Sequence, residues 1–206
     1  VKIRQGVTTE ITGEGHSPGP YSEAMVADLN RTNPTGPQVT WTTLGGFMQL
    51  LESRGAALNF GFFVGSSNPR SMVIGAVNRE PTESEMQQME SIVDQAMREG
   101  ALGLSTSLIY IPATFSKTEE IVRLAKGAAK HGGVYFTHMR NENDFINEAL
   151  DEAFRIGREA QIPVNIWHLK IGGRRNWGSM PAIIARIEEE RAQGLDVAAN
   201  VYPYIA

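Results

Sequence analysis

Apolar, β-branched segments recur along the chain with amphipathic segments between them. This alternation restricts the fold more than any other feature, because it is the pattern of βα units that build a parallel sheet. Six stretches read as strands: 6–12 (GVTTEIT), 56–64 (AALNFGFFV), 101–107 (ALGLSTS), 133–138 (GVYFTH), 163–168 (PVNIWH) and 196–202 (DVAANVY). Helices fit over 82–98, 116–130, 144–157 and 179–193. In the first, Thr82 and Glu85 have capping-box spacing, Met86, Met89, Ile92, Val93, Ala96 and Met97 form one stripe, and Gly100 closes the end. The second repeats the design with Ser116 and Glu119 at its start, and Ile121, Val122, Leu124, Ala125 and Ala128 on its apolar side. The stretch 16–38, rich in Pro, Gly, Asn and Thr, reads as a long loop where ligand-facing loops belong.

Consecutive βα units fit either an open doubly wound sheet or part of a (β/α)8 barrel. A nucleotide-binding sheet needs a glycine-rich turn leading from strand to helix, and GEGHSP at 13–18 has the wrong spacing and runs into Pro18. The barrel is favoured by where polar residues fall. Side chains at the C-terminal ends of barrel strands face one shared site, and Glu14, His138 and His168 stand at such ends.

With no Cys in 206 residues there is no disulfide, thiol nucleophile or thiolate ligand, so any metal must be held by His and carboxylates. His138 and His168 end successive predicted strands. Neighbouring strands lie about 4.8 Å apart, and imidazoles at their ends can meet at one Zn²⁺ with bonds of about 2.0–2.1 Å. Glu14 would add an oxygen ligand able to bridge two metals. The alternative, that both histidines are hydrogen-bonded structural residues, stays open. His131 falls at a helix C-terminus, where a partly positive ring complements the dipole, and His16 is a loop residue near Glu14.

The formal charge of -4, with basic residues scattered, offers no stripe for nucleic acid or an anionic membrane and leaves a small neutral or anionic substrate open. No apolar run approaches the roughly 20 residues of a membrane span, and residues 1–5 lack the zones of a signal peptide. The default expectation is a cytoplasmic location. The chain starts at Val1 almost on a strand and stops at YPYIA, 202–206, inside another, so its ends read as cut.

At this point the sequence resembles the N-acyl-D-amino acid deacylase, or D-aminoacylase, branch of the amidohydrolase superfamily. The resemblance lies in QGVTT at 5–9, GALGLST at 100–106 through Tyr110 and Pro112, GGVYFTHMR at 132–140 with Glu142, WHLK at 167–170, NWG at 176–178 and YPY at 202–204. It implies an α/β fold, a (β/α)8 TIM barrel of the metal-dependent hydrolase type. Residues 1–206 would form a single partial catalytic barrel domain with strands two to seven, the first and eighth strands and a small β-domain being absent. Those absent strands carry the family's His-x-His pair and catalytic Asp. No His-x-His occurs here, so no catalytic residue is assigned within the chain, and the isolated chain is expected to be inactive.

The resemblance makes His138 and His168 ligands of the fifth and sixth strands. The family often has a Cys ligand in an Asn-Cys-Gly turn where this chain has Gly13-Glu14-Gly15, and Glu14 is taken as the replacement, with one or two Zn²⁺ ions open. The fourth strand offers Ser105, Thr106 and Ser107 and no Lys, which excludes a carbamylated-lysine bridge. Gly65-Ser66 stands where the family tends to have Gly-His. Tyr110, Lys170 and Tyr202 are implied to hold the substrate's carboxylate or scissile carbonyl, against a bland reading of a solvated lysine and packing tyrosines. Arg140 and Glu142 are expected to pair and shape the loop after His138.

The implied reaction is zinc-dependent hydrolysis of the amide of an N-acyl-D-amino acid, a non-peptide C–N bond, with that small molecule as partner. A cyclic amidase or isoaspartyl dipeptidase-like hydrolase on the same barrel is one alternative; a non-catalytic domain with structural histidines is another. A barrel lacking two strands exposes unpaired edges, so the chain is expected to self-associate or to be unstable.

Overall fold

Every strand pairing in the computed structural model, which describes residues 2–204, is parallel. β1 (Thr9–Thr12) pairs with β2 (Asn59–Phe62), and β3 (Val64–Gly65), β4 (Gly103–Ser107), β5 (Val134–His138), β6 (Val164–Ile166) and β7 (Val197–Ala199) follow in sequence order. β2 and β3 are one strand interrupted at Phe63. The Phe63 N–H donates to Thr12 O, and the Leu102 N–H donates to Phe62 O, so the ladder passes from β1 to β4 without a gap. The predicted strands are thus present in order, each shorter than its sequence pattern. Sequential order with parallel pairing is what right-handed βα crossovers make in a (β/α)8 barrel. Here the sheet is curved but not closed, with β1 and β7 as its edges among the described residues. The predicted stretch 196–202 stops pairing at Ala199. The strand-like ending read at 202–206 has no pairing over 202–204; Ile205 and Ala206, like Val1, lie outside the described residues.

The predicted helices appear as α4 (Glu83–Arg98), α5 (Thr118–Ala129), α6 (Ile146–Ala160) and α7 (Met180–Ala192), preceded by α1 (Glu23–Thr32), α2 (Leu44–Arg54) and α3 (Ser67–Val73). α1 corrects the reading of 16–38 as a plain loop. Ser22 caps it by accepting from the Met25 N–H, and no α1 residue is buried, so no apolar stripe announces it. In α2 two glycines argue against a helix by propensity. Its start is held by Thr43, which accepts from Gly46 N, by the Glu99 carboxylate, which accepts from Gly45 N, and by the fully buried Leu44.

α4 has the capping box expected of it: Thr82 Oγ1 accepts from the Glu85 N–H, and the Glu85 carboxylate accepts from the Thr82 N–H. The matching box at Ser116 and Glu119 does not form. α5 begins at Thr118 after an uncapped Lys117, and Ser116 donates instead to Glu120 Oε1 at 2.8 Å. Glu120 is drawn inward by Arg70, itself fully buried, whose guanidinium meets Glu120 Oε2 at 2.5 Å. An uncompensated charge there would be costly, so Ser116 serves the ion pair rather than the helix end. His131 follows the C-cap of α5 as expected and finds a specific partner in Asp94 Oδ1 of α4, at 2.7 Å.

The main core lies between the sheet and these helices. Leu104, Tyr135, Val164, Ile166 and Val197 from the strands meet Met89, Val93, Ile121, Leu124, Leu150 and Phe154 from the helices, all nearly inaccessible. The opposite face of the sheet carries an aromatic group in which Phe136 packs on Phe63 and Trp167 at centroid distances of 4.6 and 5.0 Å. Strand alternation puts His138 on that same face, two residues beyond Phe136. Among the described residues no helix is long and apolar enough to cross a membrane.

The α4 cap makes stability sensitive to acid. Arg79 and the Thr82 N–H hold the Glu85 carboxyl at about 2, below its ordinary 4.5. A depressed folded-state pKa gives stability that is present above 4.5 and lost as pH falls towards 2. Urea unfolding of Glu85→Gln is expected to show a shallower fall in stability over that window than the unsubstituted chain.

Candidate metal centre

Glu14 is presented by a turn that only glycine allows. Gly13 has φ 107° and Gly15 φ 66°, and both press against the sheet. A Cβ on Gly13 would lie 2.8 Å from Phe63 O, and one on Gly15 would overlap the Ser107 side chain and lie 2.8 Å from its backbone nitrogen. Ser105 clasps the turn from β4. Its hydroxyl donates to Gly13 O and accepts from the Gly15 N–H at 3.1 Å. The serines of the fourth strand therefore seat Glu14, a role their position in the sequence did not disclose.

His138 arrives by the sheet itself. It is the last residue of β5, paired in register with Ser107, and is 6% exposed. His168 arrives differently. Val164 and Ile166 are buried against the helices, while Trp167 packs with Phe136 on the other face. Continued alternation would send residue 168 toward the helices. Instead its backbone is left-handed, with φ 38°, a conformation costing a non-glycine residue of order 1–3 kcal/mol. Asn200, just past β7, holds the bend. Its Oδ1 accepts from the His168 N–H at 2.6 Å and its carbonyl from the Leu169 N–H at 2.8 Å, while its own N–H donates to Ile166 O.

The three predicted ligands meet. Glu14 Oε1 lies 2.8 Å from His138 Nδ1 and 3.1 Å from His168 Nε2, and one ligand atom from each residue falls within 4.8 Å of the others. The imidazole centroids are 4.5 Å apart at 83°. The His138 hydrogen bond, with help from His168 and against the effect of burial, holds the Glu14 carboxyl below its ordinary value and so keeps it anionic. Two imidazole nitrogens and a carboxylate oxygen at these separations suit a borderline cation such as Zn²⁺, which usually takes three protein ligands in catalytic sites. His16, though near in sequence, is exposed and outside this group.

Around this centre Tyr110 sets its ring edge-on to His138 at 5.3 Å, and Tyr202 lies 6.4 Å from the His168 ring and stacks on Tyr204. Lys170 is at the site, but its ammonium is already engaged: Nζ is 2.6 Å from Glu142 Oε2 and 2.9 Å from His168 Nδ1. The expected Arg140–Glu142 pair does not form. Arg140 turns to Glu152, donating from Nε at 2.8 Å, and to the carbonyls of Thr114 and Ser116, which leaves Glu142 buried beside the histidines. Glu142 and Asn200 were the residues missed by sequence reasoning. One sits in a loop without period, and the other was read as part of a strand.

The turn is open to test. Gly15→Ala is expected to cost about 1–3 kcal/mol from overpacking beyond the about 1–2 kcal/mol of a left-handed residue. Gly132→Ala, at φ 72° but facing open space, should cost only the latter. Adding Ser107→Gly to Gly15→Ala should restore part of the loss in urea unfolding.

No protein-family model matches the chain. Its sequence is 37% identical over 206 residues to D-aminoacylase of Alcaligenes xylosoxydans xylosoxydans, a match covering 100% of this chain and 42% of that one. A solved structure of D-aminoacylase, concerned with its binuclear metal centre, superimposes with a TM-score of 0.90 at 39% identity, over 99% of this chain and 43% of that one. N-acyl-D-glutamate deacylase from Bordetella bronchiseptica, complexed with zinc and a phosphonate inhibitor, gives 0.89 at 30% identity, over 98% and 43%. The chain therefore spans about two-fifths of the length of these relatives, and its architecture is a partial (β/α)8 barrel of their type. By sequence along its whole length and by fold, the chain is similar to a central two-fifths of the N-acyl-D-amino acid deacylases of the amidohydrolase family.

Proposed function

We propose that the protein containing this chain hydrolyses the amide bond of N-acyl-D-amino acids, using a divalent metal, zinc in the first instance, held here by Glu14, His138 and His168. The observation that carries the proposal is the convergence of those three side chains within 4.8 Å at one end of the sheet. The metal centres of the deacylase relatives support it.

When bound, a divalent metal supplies Lewis acidity to the scissile carbonyl and acidifies water near neutral pH. Glu14, kept ionised by its histidine neighbours, has two oxygens and suits either one ion or two. Tyr110 and Tyr202 offer hydroxyl donors at the rim. Lys170 has three N–H donors, of which Glu142 and His168 Nδ1 engage two, leaving one for a substrate carboxylate. Proton transfer to the leaving amine is left to a carboxylate outside these residues.

The full-length protein, dialysed after zinc loading, is expected to retain one or two zinc ions per chain by elemental analysis. His138→Ala or His168→Ala should empty the centre and reduce turnover of N-acetyl-D-amino acids beyond the about 100-fold that loss of an outer partner costs. Undiminished hydrolysis in either variant, or a protein that keeps no metal, would overturn the proposal.

A further inference from the structure

The loop after β4 carries Tyr110 at its tip with little packing to hold it there. Ile109, Tyr110 and Ile111 are consecutive and exposed, at 42, 57 and 60%, while Leu108 before them and Ala113 after them are buried. Apolar burial therefore fixes the two ends of the loop, and the tip is left to hydrogen bonds. The Leu108 N–H donates to His138 O at 3.0 Å, the Tyr110 N–H to Ser107 O at 3.1 Å, and the Thr114 N–H back to Tyr110 O at 2.8 Å. These bonds close the turn that sets the Tyr110 ring edge-on to His138.

Arg140 grips this turn from behind. Its Nε and Nη2 donate to Glu152 Oε2 and Oε1 at 2.8 and 2.9 Å, a bidentate pair. From there Nη1 donates to Thr114 O at 3.1 Å and Nη2 to Ser116 O at 2.9 Å. The anchor is itself fixed, because Glu152 belongs to α6, its side chain is 11% exposed, and its Oε1 accepts from Thr118 Oγ1 of α5 at 2.9 Å. Thr114 is thus bound on both sides, its carbonyl by Arg140 and its N–H to Tyr110. A planar fork of five donors can span a carboxylate and two carbonyls at once, whereas a lysine ammonium is a single point.

We propose that Arg140 is a positioning residue, a strut that runs from α6 through Thr114 to Tyr110 and holds the tyrosine hydroxyl at the rim of the metal centre. It acts through Tyr110 and not by contact with substrate. A polar donor helps binding and turnover only when it already stands in the geometry of the reacting complex, and an exposed tyrosine on a loose loop would have to be ordered at each binding event. Arg140 orders it on folding. The inference rests on the reading of Tyr110 as a substrate contact and adds to it the residue that orients that contact.

The test is a double-mutant cycle in kcat/KM for an N-acetyl-D-amino acid, run on the full-length, zinc-loaded protein. Tyr110→Ala is expected to lower kcat/KM by up to about 100-fold, Arg140→Lys by no more than that, and the double variant no further than Tyr110→Ala alone, with zinc content unchanged in all three. A merely structural arginine would instead give losses that multiply. Without reference to activity, the Thr114 amide of Arg140→Lys should exchange with solvent about 10–100-fold faster, the worth of one charge-assisted hydrogen bond. Lysine keeps a charge beside Glu152; should the variant still not fold, Glu152→Gln, which frees the guanidinium from α6, takes its place in the cycle with the same expectations. Multiplying losses, loss of zinc, unchanged kcat/KM or unchanged Thr114 exchange each overturn the inference, as does full activity in Tyr110→Ala. A full-length protein that hydrolyses no N-acyl-D-amino acid sinks the functional reading instead, and the Thr114 exchange rates then decide the strut by themselves.

Discussion

The register of the parallel ladder decides which side chains can meet at the rim. Ser107 lies opposite His138, Thr137 opposite Ile166, and Ile166 opposite Ala199, so positions 107, 138, 167 and 200 form one row across four strands. Each has a task there. Ser107 bounds the Gly13–Gly15 turn, His138 faces Glu14, Trp167 is the last residue before the bend, and Asn200 holds that bend. Moving any strand by one residue would exchange its two faces, burying the imidazole of His138 among the helices and pulling Ser105 away from both glycines.

Upon that row the electrostatics are built in alternation: acid, imidazole pair, acid, ammonium. The order matters because burial removes the water that would otherwise soften each contact. Glu142 in the loop after β5 is paired with Lys170 from the loop after β6, and Arg140, two residues before Glu142, is tied to α6 through Glu152. The loops that frame the centre are thus held by charge pairs to neighbouring elements.

Much of this was legible in the sequence, and the parts that were not share a physical cause. The strands and α4 to α7 were readable because their apolar periodicity is local. Glu14, His138 and His168 were readable because a residue at a strand end inherits its direction from the strand. α1 and α2 were hidden because one buries nothing and the other depends on Leu44 and on a distant Glu99. Ser116 misled because a capping motif competes with a tertiary demand from Arg70, which lies fifty positions before its partner Glu120. Glu142 was hidden for the same reason. Its partners are chosen by the approach of two loops, and an adjacent arginine two residues before it offered a plausible local match that Glu152 wins.

The bend at His168 leaves the two imidazoles unequally anchored. His138 is held in the β4–β5 ladder opposite Ser107, whereas His168 depends on one uncommon dihedral and on the side chain of Asn200. Small local openings near the sixth strand would therefore reach one ring and spare the other.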